Sequence, residues 1–381
     1  MSQKSIYLDH AASTPVSQEV LDVMMPYFKD KFYNPSANYL IAKSIKKDLE
    51  DARFTVSQLL GVHSSTITFV AGGSEANNLA IRGVMSQYPD SNLIMSDLEH
   101  DSVMNVGLLY PNKLAKVGND GIVDVDSIID LINPKTVLIS LMLANNEVGT
   151  IQPLKKLYIE VEKIRKERLS LKNKLPLYIF ADGCQAGNLL DLHINNLKVD
   201  LLSLNGSKIY GPKQSGILYV RSGIKLKPVI EGGGQEHNLR SGTENVAFAV
   251  AFSKALSLAQ SKRKVEFDRL RVIQKKFIKE LSIVIPDAIV NGSMKNRLPS
   301  NIHITFPNID NERLLFNLDE HGVMASAGSA CSASNHKPSR VLAAMGIDES
   351  SIRSSIRLTM GRQTDIDQML KTISILQKIL K

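Results

Sequence analysis

Tryptophan is absent from the 381 residues, and cysteine occurs only twice, at positions 184 and 331. Two cysteines exclude a disulfide framework and any CxxC-type metal site, so no metal is expected. Their spacing alone neither demands nor forbids a bridge between them. The N-terminal stretch MSQKSIYLDHAAS has no basic segment followed by an apolar one, so no secretory leader is expected. No apolar run approaches the roughly 18–20 residues that cross a bilayer. A cytoplasmic chain with reduced thiols and no membrane association follows as the expectation. Internal repeats, low-complexity tracts and Pro/Ser-rich linkers are also missing.

The charge balance is positive, with 46 Lys+Arg against 38 Asp+Glu, a formal net charge of +8. These cations are dispersed. Their densest stretch, VEKIRKERLSLKNK (161–174), mixes in acids and reads as a solvated helix end and loop. No aromatic-studded basic platform accompanies it, so direct nucleic-acid contact is not expected.

The chain is long for one domain and holds ample apolar material for two packed units. Ile45, Leu49, Ala52, Val56 and Leu59 follow the spacing of one helical face, which predicts a helix over 38–60 capped by Gly61. Short apolar, β-branched runs then alternate with helical stretches. TITFV (66–70), NLIMS (92–96), TVLISLML (136–143), LYIFAD (177–182) and VDLLSL (199–204) read as strands buried on both faces of a parallel sheet. From about residue 260 the pattern becomes a long charged helix. Two strand–helix units follow, with NIHITF (301–306) and SIRLTMG (355–361) as their strands. A last helix is expected with Thr364 as N-cap and Ile366, Met369, Leu370, Ile373 and Leu376 on one face. The fold class is α/β. The expected division is a large domain over 15–258 and a smaller α/β unit formed by 1–14 and 259–381.

Ligands of open α/β sheets bind where strands end, and several polar clusters fall there. VAGGSEANNLA (70–80) runs from a strand through Gly72, Gly73 and Ser74 into a helix, a turn that can hold an anion or merely join two elements. Asp182 ends LYIFAD, where an acid commonly caps the next helix but can equally bind a protonated ring nitrogen. Cys184, between small and polar neighbours, reads as a buried packing thiol. Lys208 follows VDLLSL among Gly206, Ser207 and the Tyr210-Gly211-Pro212 turn. A lysine there is usually solvated, yet a strand end also suits a desolvated, nucleophilic amine. His100 and Arg357, each taken alone, read as a surface or capping histidine and a structural ion-pair donor.

An anion turn, an acid for a ring nitrogen and a lysine 26 residues later occur in that order. From YLDHAASTP (7–15) to SSIRLTMGR (354–362), the sequence resembles the cysteine desulfurases of the NifS/IscS type, in the class V aminotransferase lineage of fold-type I pyridoxal phosphate (PLP) enzymes. The resemblance implies a fold-type I PLP-dependent transferase with a mostly parallel central sheet. It implies that Lys208 carries PLP as a Schiff base and that Asp182 pairs with the pyridine nitrogen. Gln185 and Asn146 (in ANNEVGT) would bond around the phenolate oxygen, and His100 (in LEHDSV) would stack on the ring. Gly73, Ser74 and Ser207 would hold the phosphate, with Asn205 also among the cofactor-binding residues. Thr243, in GGGQEHNLRSGTEN (232–245), would reach the phosphate of a neighbouring subunit in a homodimer with shared active sites. Arg357 and Asn34 (in YNPSA) would take the substrate carboxylate.

Cys331 lies in ASAGSACSASNHKP (325–338), without any apolar period to tuck it into a core. An exposed free thiol is an unusual loop filler, and its position matches the sulfur-accepting cysteine of the family. The long form of this loop implies persulfide delivery to partner proteins without a dedicated activator. Three departures stand out: Asn205-Gly206-Ser207-Lys208 replaces the common Ser-x-His-Lys, Ser74 replaces threonine, and Asn38-Tyr39 stand where histidine is common.

The implied reaction converts L-cysteine to L-alanine. A base, Lys208 or His100, removes the Cα proton, and the Cys331 thiolate attacks the substrate sulfur and keeps it as a persulfide. An acceptor protein of iron–sulfur assembly or tRNA thiolation then receives it. The competing readings are a selenocysteine lyase or another class V transaminase and, in a different class, a non-catalytic scaffold of a sulfur-transfer complex.

Overall fold

The computed structural model describes residues 5–328 and 338–380. Their strands are β1 (Ile6–Tyr7), β2 (Ile67–Val70), β3 (Asn92–Ser96), β4 (Asn112–Ala115), β5 (Thr136–Ser140), β6 (Tyr178–Asp182), β7 (Leu201–Asn205), β8 (Gly216–Val220), β9 (Ile289–Asn291), β10 (Asn301–Thr305), β11 (Val323–Met324) and β12 (Ser355–Thr359). The largest sheet has the order β2-β8-β7-β6-β5-β3-β4. Its members from β7 to β4 are parallel neighbours. Every residue of β5 and β6 is buried, because helices cover both faces and the strand sequences are apolar almost throughout.

One expectation needs correcting. The run 66–70 was expected to join a parallel sheet, but β2 pairs antiparallel with β8, and β8 is antiparallel to β7 as well. The turn after Lys208 is short enough to send the chain straight back, so β8 inserts beside β7 without a crossover helix. The run 136–143 also keeps only its first five residues in the sheet. Leu141, Met142 and Leu143 stay buried beyond the end of β5.

The helices that matter below are α1 (Leu40–Leu60), α2 (Gly73–Met85), α3 (Asp101–Gly107), α4 (Leu154–Ser170), α5 (Val246–Val284) and α6 (Ile366–Ile379). Gly61 caps α1 with φ +68°, as expected from its sequence position. The basic stretch 161–174 does contain a helix end, that of α4. Thr364 is not the N-cap of α6. Asp365 caps it, accepting from the Gln368 amide N–H while the Gln368 side chain returns the bond, and Thr364 instead accepts from Gly361 N–H.

The charged helix expected from about 260 begins at Val246 and runs for 39 residues. Its first half (Ala247, Ala251, Phe252, Ala255, Leu256) packs into the core of the large sheet. Its second half (Leu270, Ile273, Phe277, Leu281) joins a separate core with Ile6, Leu8, β10, β12 and α6. The expected boundary at 258/259 thus falls inside one continuous helix. The second core surrounds the three-stranded sheet β12-β10-β9, which is antiparallel throughout. No helix among the described residues is long and apolar enough to cross a membrane.

Candidate active site

The carboxyl ends of β5, β6 and β7 open onto a cavity of about 260 Å³. Its walls include Gly73 and Ser74 from the start of α2, His100, Asn146, Asp182, Gln185, Asn205, Lys208 and Arg357. Residues up to 346 positions apart in sequence, Ala11 and Arg357, meet here, most of them at or just beyond the end of an element that the core fixes.

The glycine turn before α2 carries the tightest backbone requirement. Gly72 has φ +130°, a conformation closed to ordinary side chains. A Cβ on Gly73 would lie 2.6 Å from Cys184 Sγ, so only glycine fits against that thiol. The turn aims the first N–H groups of α2, which have no intrahelical acceptors, toward the cavity.

Asp182 ends β6 and is buried. Its Oδ1 accepts from Cys184 N–H at 2.9 Å, and its Oδ2 from Asn77 Nδ2 at 2.8 Å. Asp182 thus caps the turn that follows β6 and also lines the cavity. Cys184 is not merely packing. It lines the cavity as a free thiol, and burial, reinforced by the Asp182 charge, pushes that thiol well above its ordinary value. A thiol so held is a poor nucleophile.

Lys208 follows β7 in a single turn of 3₁₀ helix, where Asn205 Oδ1 accepts from Ser207 N–H and Ser207 Oγ–H, both at 3.1 Å. Its ammonium donates to the Ala12 carbonyl, while its own carbonyl accepts from Asn188 Nδ2. Gln185 donates to Ala11 O at 3.1 Å, so the N-terminal segment and the β6–β7 region share this wall.

Arg357, at the centre of β12, is 1% exposed. It donates to the Asn146 carbonyl at 2.9 Å and to Asp9 Oδ1 at 2.7 Å. Its Nε is buried with no partner among the described residues. Glu147, next to Asn146, is wholly buried; desolvation raises its carboxyl, which accepts from Ser339 Oγ–H. Glu99 is buried just before His100, with its carboxyl pushed up to about 8 by burial.

Three expected residues are not among the cavity's walls, and of these Ser207 lines an adjoining recess with Gly73, Ser74 and Asn205. Asn34 is exposed, accepting from Ser36 N–H, and Thr243 is exposed on the 232–245 segment; neither lines the cavity. Cys331 falls outside the described residues. Asn77 and Ser102, by contrast, were not anticipated, yet both line the cavity. Asn77 is four residues beyond Gly73 on the same face of α2, and Ser102 is two residues past His100; spacing from each motif could have flagged them.

The family model for class V aminotransferases matches residues 6–369. This chain belongs to that family. It is 37% identical to "Cysteine desulfurase IscS" of Dictyoglomus turgidum, over all of this chain and 95% of that protein. It is 37% identical to the mitosomal cysteine desulfurase of Trachipleistophora hominis, over 98% of this chain and 86% of that one. Among solved structures it matches a NifS-like protein of Rickettsia africae with a TM-score of 0.87 and 28% identity, covering 99% of both chains. It also matches SspA in complex with cysteine, with a TM-score of 0.80 and 32% identity over 93% of this chain and 99% of that one. The family and the α/β fold class expected from the motifs are both borne out.

Proposed function

We propose that this chain is a PLP-dependent cysteine desulfurase, converting L-cysteine to L-alanine and taking the sulfur onto Cys331. The observation that carries the reading is the convergence of Lys208, Asp182, His100 and the N-terminus of α2 on one cavity. Those groups fit PLP by their chemistry: an amine for its aldehyde, a carboxylate for its ring nitrogen, a flat ring to lie on it and helical N–H groups for its phosphate. Lys208 would hold it covalently, Asp182 would face the ring nitrogen, and Asn146 and Gln185 would stand by its phenolate oxygen. Gly73, Ser74 and Ser207 would hold the phosphate, with Asn205 also among the cofactor-binding residues. When bound, the cofactor supplies an electron sink that stabilises negative charge at the substrate α-carbon.

The chain's own residues do the rest. Arg357, which lines the cavity, offers its guanidinium to the carboxylate of bound cysteine. Lys208 removes the α-proton. The Cys331 thiolate attacks the substrate sulfur: an S–S bond forms, the C–S bond breaks with its electron pair left on the β-carbon, and protonation of that carbon together with return of the α-proton by Lys208 yields alanine. The Cys331 persulfide is then passed to an acceptor protein, in iron–sulfur cluster assembly or tRNA thiolation. A reducing compartment such as the cytoplasm suits a thiol that must return to its free form.

The enzyme works as a homodimer in this reading. Met25, Phe28, Phe32, Tyr39, Leu40 and Ile41 are exposed along one short stretch, an apolar surface that a second copy would cover. Thr243, exposed and outside its own cavity, would reach the phosphate site of the other subunit. The test is one preparation. Purified enzyme should sediment at twice the 42.0 kDa chain mass. It should carry a visible absorbance band and release alanine from cysteine, with band and activity both lost on Lys208→Ala. A monomer would refute the dimer, and an unchanged band in the variant would refute the role of Lys208.

A further inference from the structure

His100 sits at the N-cap of α3, and its ring Nδ1 meets two donors from one residue: Ser102 N–H at 3.1 Å and Ser102 Oγ at 2.8 Å. A backbone N–H can only donate, so Nδ1 must be the bare nitrogen and the ring hydrogen sits on Nε2. The hydroxyl's direction is fixed from behind. Asn77 Nδ2 donates to Ser102 Oγ at 2.8 Å, which leaves the serine hydrogen for Nδ1. The same amide nitrogen gives its other hydrogen to Asp182 Oδ2 at 2.8 Å, and Asn77 Oδ1 accepts from Ser203 Oγ at 2.6 Å. Turning the amide over would press its oxygen against the Asp182 carboxylate. Buried at 1% exposure, Asn77 has one orientation.

We propose that Asn77 and Ser102 are positioning residues that lock His100 in its Nε2–H form, so that it offers the cavity a hydrogen-bond donor and not a base. The Cα proton transfer then belongs to Lys208 alone. The role of His100 is to donate from Nε2 to a lone pair of the bound amino acid, as neutral imidazoles do in other enzymes. The relay also ties that donor to Asp182 through a single amide, so acid and imidazole are held in one rigid frame. This inference rests on the desulfurase reading for its catalytic half and on the protein alone for its tautomer.

The two halves are tested separately. Long-range proton–nitrogen correlation spectra of protein labelled with ¹⁵N-histidine report the tautomer in both the cofactor-free and the loaded enzyme. The His100 signal is identified by its loss in His100→Gln. The spectra should show a bare Nδ1 and a protonated Nε2; in Ser102→Ala, which keeps the backbone N–H but loses the hydroxyl, the Nδ1 resonance should move toward that of a weakly bonded bare nitrogen, and Ser102→Thr should restore it. A proton on Nδ1 in the wild type, or an unchanged spectrum in Ser102→Ala, overturns the relay. In alanine formation, Ser102→Ala should lower kcat about tenfold, the lower end of what partners orienting a functional histidine contribute. His100→Gln keeps an N–H donor at about the place of Nε2 but cannot titrate, and should lose no more than about tenfold. A loss of about a hundredfold or more is the signature of a general base and overturns the donor role. If the wild type makes no alanine at all, the desulfurase reading falls while the spectra still decide the tautomer.

Discussion

Glu99 shows how much a single residue can depend on contacts that no motif announces. It sits one place before His100, is 1% exposed, and accepts with Oε1 from Ser96 Oγ–H and Met142 N–H, both at 2.8 Å. Burial raises its carboxyl from 4.5 to about 8, so the folded chain keeps a proton that the unfolded chain loses above pH 4.5. Its stabilising contribution is therefore complete below about pH 4.5 and is lost as pH rises through about 8. Glu99→Gln should leave stability at pH 4 nearly unchanged and raise the melting temperature relative to wild type at pH 9. Parallel melting curves for the two proteins across that range would contradict the assignment. Lys208, Asp182 and His100 were legible because each stands beside a strand end or a turn that short-range pattern reveals. Glu99 was not, since its partners lie as far as 43 positions away for its carboxyl and 241 for its carbonyl, and Asn77 shows only its spacing from Gly73, its bonding partners lying 25 to 126 positions away.

At the scale of elements, apolar period and capping chemistry located α1 and most strands of the large sheet, because both are local properties. The direction of β2 was not local. It depends on β8, a neighbour 150 positions later, which only the folded chain brings alongside it. The last helix shows the complementary limit, since Thr364 and Asp365 are both competent caps and only the reciprocal bond with Gln368 selects the second. Another long-range tie joins α1 to β2 and to the 232–245 segment. Arg53, on α1, forks onto Glu236 at 2.6 and 2.7 Å, and Glu236 also accepts from Phe69 N–H at 2.7 Å. Their side chains are only 3% and 4% exposed. Glu236→Ala leaves the buried guanidinium with only the more exposed Glu50, at 3.2 Å, as counter-charge and should cost up to about 3–5 kcal/mol, read as a lowered urea midpoint. The double variant Arg53→Met/Glu236→Leu should recover much of that loss. An unchanged midpoint in Glu236→Ala would show that this tie carries no stability.

For the whole molecule, two cores share one 39-residue helix, and residues 6–8 belong with the C-terminal core rather than with the residues that follow them. That arrangement brings β12, bearing Arg357, against the strand ends of the large sheet, so the cavity takes walls from both of these sheets. Sequence order suggested two units but could not show the helix running through both, because apolar spacing persists across its change of partner. The described chain stops at Gly328 on one side of the cysteine segment and resumes at Pro338 on the other. Both flanks are anchored near the cavity: before the segment Ser326 pairs through its backbone with Arg357, and after it Ser339 donates to Glu147 and Arg340 bonds the Asp97 and Glu99 carbonyls. The central claim, that substrate sulfur leaves carbon for Cys331, is tested most directly by Cys331→Ser. The variant should keep the wild-type visible absorbance band while alanine release from cysteine falls to background. Alanine release at the wild-type rate would contradict the claim.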